Sequence, residues 1–461
     1  MSTFETSLLL SGALMAMVVI GVRVAFASAL VGIVGLFLVF FADKGYPFDK
    51  SLGIAVKQLG QVPHSKTATN VLGLIPTFIL IGYLAYYAGL TKALFEAAKR
   101  WVGWVPGGLG VATVFATAGF AAVSGASVAT SAVFARIAIP EMLSLGYDKR
   151  FAAGVVAAGG TLASLIPPSA ILVIYAIITE SSVGALLLAG FLPGLVSAAI
   201  YGGMIVVMAK MRPSLGPPVG GFTARERLEV LPGAFPIFFV VGIIIFCIYG
   251  GWGTPTEAGA LGAFVVLVMA LWRGMTLKQL GGALLETAKL CAMIFAMIWG
   301  VLIFVRYLGF AKLPTAFADF IGGLEQSPML TLLMILGVYV ILGMFMDAIG
   351  MLILTLPVTF PAVMALNGGE FVSAEESALG LSGPECAVWF GIIVVKMAEL
   401  CLITPPIGLN CFVVAGVRPD ISAQDVFRGA SPFFIADVAT VAVLIAFPGI
   451  VLWLPRLMGV G

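Results

Sequence analysis

The sequence has 461 residues and is 61% hydrophobic but only 10% charged, where a soluble domain carries about 25% charged residues. Its formal net charge of +2 is too small for a nucleic-acid-binding surface, so no nucleic-acid partner is expected. With a mean hydropathy of +1.14, the chain reads as an all-α polytopic membrane protein, one integral unit over 1–461 surrounded by membrane lipids.

The start Met1-Ser2-Thr3-Phe4-Glu5 lacks the basic region of a cleaved leader, so the first apolar run reads as a retained span. Apolar runs lie at about 7–22 and 24–42, parted by Arg23. Residues 43–70 carry Lys44, Asp49, Lys50, Lys57 and Lys66 and read as a loop or surface helix. A span at 72–90 follows. In 91–101, Leu94, Ala97, Ala98 and Trp101 share one helical face opposite charged residues, which suits a helix lying in the membrane interface.

Residues 107–143 are apolar but interrupted at 121–127. Each arm has about 15 residues, short of the ~20 that cross a bilayer, so a re-entrant hairpin is expected with Ser124, Gly125 and Ser127 at its tip. Residues 151–178 read as a membrane helix except for Ile166-Pro167-Pro168-Ser169. Adjacent prolines remove two donors and cannot continue a regular helix. In hydrocarbon such a break survives only where its freed carbonyls are buried in protein or line a polar cavity. A span at 184–208 closes the first half, 1–209.

The stretch 210–232 holds Lys210, Arg212, Arg225 and Arg227 among prolines and glycines. It reads as a central linker, and its basic excess places it in the cytoplasm. The second half, 233–461, shows spans near 233–250, 256–272 and 288–308 and a helix break around Met346-Asp347-Ala348-Ile349-Gly350. A polar loop at 367–385, a second diproline helix at 386–417 containing Thr404-Pro405-Pro406, and a last span at 433–454 complete the chain. The five cysteines form no CxxC pair and read as buried inert thiols. The one histidine, His64, has no partner histidine for zinc or catalysis.

The halves echo each other. Gly89-Leu90-Thr91-Lys92 recurs 220 residues later as Gly309-Phe310-Ala311-Lys312, and the same offset brings Ser127 onto Asp347. The diprolines are 238 apart and Pro193 and Pro432 are 239 apart, a surplus the loop 367–385 can absorb. Such duplication, inverted when each half crosses an odd number of times, is common in secondary transporters, whose sites lie at paired broken helices near the midplane.

Several of these segments resemble the large membrane subunit of TRAP transporters. They are 120–129 with Ile137-Ala138-Ile139-Pro140, Gly146-Tyr147, Phe151-Ala152-Ala153, Ile166-Pro167-Pro168-Ser169 and 189–194. Thr254-Pro255-Thr256-Glu257-Ala258, 343–347 and 403–410 extend the match over nearly the whole chain. The resemblance implies a fold of about eleven transmembrane helices plus two re-entrant hairpins and an elevator mechanism. It implies sodium-driven import of an organic acid across the bacterial inner membrane, with Na⁺ as coupling ion and no organic cofactor. It also implies two further chains, a small four-helix membrane subunit and a periplasmic substrate-binding protein. The segment 43–70 departs from the family pattern.

Sodium takes oxygen ligands from hydroxyls, carboxylates and carbonyls freed where helices unwind. The first tip offers Ser124, Gly125 and Ser127 opposite Thr161, Ser164, Ile166 and Pro167; the second offers Asp347 and Gly350 opposite Thr404, Pro405 and Gly408. The competing reading is that these small residues only let helices approach. Asp347 in an apolar run costs about 2.5–3.5 kcal/mol, which a bound cation would compensate, unless it lies at a turn in water. Arg306 is the expected partner of a substrate carboxylate, or else it snorkels near a helix end. Ser124 could also touch substrate, and Ser169 and Asn410 begin half-helices whose N-termini could add anion-binding donors. Lys396 and Glu399, at i and i+3, are expected to pair with each other, and Glu257 to cap its helix. Rival readings are a proton-coupled anion carrier of related fold and the membrane subunit of an ATP-driven importer. The sequence has no GxxxxGK[ST] loop, nor HExxH or GxSxG for an enzyme.

Overall fold

The computed structural model describes residues 3–67, 70–323 and 326–457, together with Gly459. His64 has a described backbone, but its side chain lies outside the described set. Among the described residues every regular element is helical. Helix α1 (Thr3–Val19) and α2 (Val24–Leu38) flank the break at Arg23, and α2 runs on through a wider π turn at Val39–Asp43. The segment of undecided structure, 43–70, contains a helix, α3 (Phe48–Thr67).

The first interrupted region begins with α4 (Leu74–Tyr87) and α5 (Leu90–Val102), which meet at a 70° bend. Gly89 at the bend has φ +71, a left-handed conformation that glycine adopts without strain. Next come α6 (Gly108–Ser124) and α7 (Ser127–Ser144), then α8 (Lys149–Thr161), a short 3₁₀ turn, and α9 (Ala170–Thr179). The long α10 (Val183–Met211) ends this set. The linker holds the short α11 (Ala224–Glu229) and leads to α12 (Leu231–Tyr249) and α13 (Pro255–Trp272). Glu257 caps α13 as expected: Thr254 donates its backbone N–H to the Glu257 carboxylate at 2.7 Å, and Glu257 N–H donates to Thr254 Oγ1 at 3.3 Å.

The same order of elements then recurs as α14 (Leu277–Phe310), α15 (Leu313–Gly322), α16 (Pro328–Gly343), α17 (Ala348–Asn367), α18 (Gly383–Cys401), α19 (Leu409–Val417) and α20 (Ala423–Ala446), with α21 (Gly449–Leu457) at the end. Lys312, between α14 and α15, is left-handed at φ +56, as Gly89 is between α4 and α5. Helices α1–α3 and α12–α13 stand outside the recurring set.

Several elements differ from the expectation, and α20 also begins at Ala423, ten residues before 433. Helix α14 begins at Leu277, well before 288, because its polar first turns (Lys278, Gln279, Glu286) hide from a hydropathy reading while a Thr276–Gln279 capping box starts the helix. The amphipathic α15 has no counterpart in the sequence reading. The last span is two helices, because Phe447 precedes Pro448 and is forced out of the helical region, at φ −128 and ψ 71. By length and composition, seven described helices could cross a membrane.

Close helix approach rests on glycines, as expected where small residues replace a hydrophobic driving force. A Cβ on Gly154 of α8 would stand 2.1 Å from the Gly429 carbonyl carbon of α20. A Cβ on Gly300 of α14 would stand 2.0 Å from the Ala25 carbonyl oxygen of α2. The linker fastens to the base of α6–α7: Val219 N–H donates to Gly103 O at 2.8 Å, Gly107 N–H to Gly216 O at 3.0 Å and Asp148 N–H to Leu215 O at 3.1 Å. Tyr147 accepts from Leu109 N–H at 3.0 Å, and burial pushes its phenol up to about 12.

Candidate functional site

The α6–α7 turn and the first diproline break touch. Gly125 caps α6 at φ +57, and a Cβ there would stand 2.3 Å from the Pro168 carbonyl oxygen. Two residues on, Ser127 Oγ lies 2.5 Å from Ser164 Oγ, and both side chains are buried. Ser124 turns back into its own hairpin, 2.9 Å from Thr130 Oγ1. Ser169 caps α9, accepting from Leu172 N–H at 3.2 Å and donating to the Ser164 carbonyl. Thr161 lies one turn back; its hydroxyl donates to Ala158 O at 2.7 Å and lies 3.4 Å from Tyr201 OH. Ile166 is buried against Gly194, and Pro167 is half-buried. Ser131 Oγ is buried without a hydrogen-bond partner beside Gly160, a spare oxygen next to the break.

The second pair is looser. Asp347 is half-buried and caps α17, accepting from Gly350 N–H at 3.1 Å. The α16–α17 turn meets the end of α18, where a Cβ on Gly343 would lie 1.6 Å from Cys401 Sγ. Thr404 donates to Leu400 O at 2.6 Å. Gly408, at φ +37, leaves room for Phe427, whose ring would stand 2.3 Å from a Cβ there. Pro405 is exposed, unlike its half-buried counterpart Pro167. Asn410 is buried, donates to Ala157 O at 3.2 Å and leaves its own oxygen unpartnered. It thereby ties the second break to α8.

A cavity of about 500 Å³ lies between the two turns. One wall is Gly125, Ser127, Arg136 and Ala170 with Asp347, Leu402 and Leu409; the other is Tyr83, Tyr86 and Tyr87 of α4 with Glu286 and Met293 of α14. A concave, mostly apolar space with a few polar groups is the usual form of a small-molecule site. The cation it presents is Arg136, exposed at the cavity lining nine residues into α7 and with no ion-pair partner among the described residues. Arg306 does not line this cavity. It is exposed, with its guanidinium 5.4 Å from the centroid of Phe310, one turn along the same helix. Ser169 and Asn410 also lie behind the wall, represented at the cavity by their neighbours Ala170 and Leu409.

Lys396 and Glu399 do pair, at 2.6 Å, with a third member absent from the sequence reading: Asp437 of α20, 2.7 Å from Lys396 Nζ. Ser197 and Tyr201 of α10 complete the cluster, Ser197 accepting from Lys396 at 2.6 Å and Tyr201 donating to Asp437 at 2.6 Å. Among the described residues no three His, Cys, Asp or Glu side chains converge to hold a metal. Any cation site at the turns therefore rests on hydroxyls, main-chain oxygens and Asp347.

Two helix–turn–helix units, each packed against an interrupted helix, meet along one wall of a cavity that α4 and α14 complete, the architecture of a multi-helix membrane protein. The fold is similar to that of the Alcanivorax borkumensis YdaH transporter, at 13% identity with a TM-score of 0.59 over 86% of this chain and 89% of that one. The family model of the tripartite ATP-independent periplasmic transporter, DctM component, matches residues 11–450. The C4-dicarboxylate TRAP transporter large permease protein DctM of Pseudomonas aeruginosa is 34% identical, covering 84% of this chain and 86% of its own. The sialic acid TRAP transporter large permease protein SiaM of Vibrio cholerae is 30% identical over 92% and 95%. The chain belongs to the DctM family of TRAP large permeases.

Proposed function

We propose that this chain imports an organic acid across the bacterial inner membrane by sodium-coupled secondary transport. A small four-helix membrane subunit and a periplasmic binding protein serve as separate partners, the latter delivering the substrate. The carboxylate relatives support the substrate class. The observation that carries the reading is the contact of the first turn with the first break, Ser127 on Ser164 and Gly125 on Pro168, at the edge of the cavity. Helices α6–α7 and α16–α17 are re-entrant hairpins, and α8–α9 and α18–α19 are broken spans.

Sodium bound at the turns holds each hairpin tip against its break. That ordering completes the cavity wall, so substrate binds better when sodium is bound and, by linkage, sodium binds better when substrate is. The substrate carboxylate lies toward Arg136, where a guanidinium can grip it bidentately. The loaded hairpins and broken helices then move as a body past α4 and α14, an elevator stroke, with the linker 210–232 on the cytoplasmic side.

The test is uptake of labelled dicarboxylates and sugar acids into vesicles holding the reconstituted complex, with binding protein outside. Uptake should require an inward sodium gradient, and Asp347→Ala should abolish it. Equal uptake without sodium, or uptake that needs ATP after the ion gradients are collapsed, overturns the reading.

A further inference from the structure

Lys396, Glu399 and Asp437 have no solvent exposure at all. The ammonium uses its three protons on Glu399, Asp437 and Ser197, at 2.6, 2.7 and 2.6 Å. Asp437 Oδ1 also accepts from Tyr201. One oxygen of each carboxylate, Glu399 Oε1 and Asp437 Oδ2, is buried with no hydrogen-bond partner. Two carboxylates therefore share one ammonium, and among the described residues no second cation lies within ion-pair distance of either.

Fully ionised, the cluster would carry a net charge of −1 at a site with no solvent exposure. Charge inside a membrane protein is costly unless paired, and two close carboxylates resist ionising together. Neutral groups do not relieve the excess. Tyr201 already donates its proton to Asp437, Thr161 lies beyond it at 3.4 Å, and the Cys401 thiol one turn along α18 donates to Met397 O at 3.1 Å. Among the described residues no further charged group pairs with the cluster; from the other helices packed on α18, Asp347 caps α17, Tyr339 bonds Thr355 and Thr359, and Arg456 pairs with Glu385.

We propose that the Lys396–Glu399–Asp437 cluster binds one proton, held on one of the two carboxyl groups, and that the transporter moves only with that proton in place. The bound proton brings the cluster to zero net charge with no covalent change elsewhere. The location supports a coupling role. Lys396 and Glu399 stand on α18, nine and six residues before Pro405 of the second break, and Asp437 reaches Thr161 at the first break through Tyr201. Loss of the proton would leave an unbalanced charge between the two interrupted helices. The requirement is separate from sodium binding at the hairpin tips and does not depend on it.

The experiment uses the reconstituted complex with its binding protein, a fixed sodium gradient and equal pH on both sides, over about pH 6 to 9. The proton is present at low pH and lost as pH rises, so the wild-type rate should fall along an alkaline limb at about tenfold per pH unit, the slope of one proton. In Asp437→Asn and Glu399→Gln one carboxylate is already neutral, and the limb should flatten to within about twofold. Thermal unfolding of the purified chain supplies a second readout should a variant transport poorly: the wild-type midpoint should drop across the same pH range and the Asp437→Asn midpoint should not. A flat wild-type profile, or an unchanged limb and midpoint shift in both variants, overturns the proposal. So does a wild-type limb that disappears when sodium is raised at constant pH, which would make the bound cation sodium. The sodium half-saturation measured alongside tests the transport reading separately.

Discussion

Gly125→Ala tests the contact between hairpin tip and diproline break most directly. At φ +57, an alanine costs about 1–2 kcal/mol of backbone strain. Its methyl would stand 2.3 Å from the Pro168 carbonyl oxygen, about 1 Å inside ordinary contact distance. The tip must therefore retreat, taking Ser127 away from Ser164, and the lost hydrogen bond adds about 1 kcal/mol. Together, about 2–3 kcal/mol corresponds to a roughly 30- to 150-fold weaker closed site. The assay is the sodium half-saturation of uptake by the reconstituted complex with saturating substrate-loaded binding protein. Gly89→Ala is the control, because Gly89 is also left-handed, at φ +71, but has nothing within 4 Å of its Cβ position. It should leave sodium half-saturation unchanged. A wild-type value in Gly125→Ala, or an equal shift in both variants, would refute the argument.

Arg136→Gln should raise the substrate half-saturation about tenfold or more, the scale of a lost charged hydrogen bond, while Arg306→Gln should leave it unchanged; dose–response uptake by the two variants decides which arginine meets the carboxylate. Lys396→Met removes the one cation beside buried Glu399 and Asp437 and should cost about 3–5 kcal/mol, read as a lower unfolding midpoint in detergent, and adding Asp437→Asn to it should recover part of the loss. Gly154→Ala drives a methyl into the Gly429 backbone and should cost about 1–3 kcal/mol by overpacking; an unchanged midpoint would mean that α8 and α20 do not pack this closely.

Legibility in the sequence followed covalent constraint. The prolines at 167–168 and 405–406 break their helices because no regular helix can contain them, and the elements fall on either side as expected. The contact of Ser127 with Ser164 was foreshadowed by pairing each tip with its break. Side-chain facing was not legible. Arg136 and Arg306 both interrupt apolar helices, and only the rotation of each helix decides that one meets the cavity and the other the surface. Asp437 stayed hidden although it is an acid inside the last long helix, because its ammonium partner comes from a helix 41 residues earlier, at Lys396. The start of α14 and the existence of α15 were lost for a simpler reason: polar or amphipathic turns carry little hydropathy signal.

The matched bends at Gly89 and Lys312 have a mechanical consequence. Helix α4 meets α5, and α14 meets α15, each through a two-residue bend that holds one left-handed residue. In the elevator stroke proposed above, movement of the hairpins past α4 and α14 would bear on both bends at once.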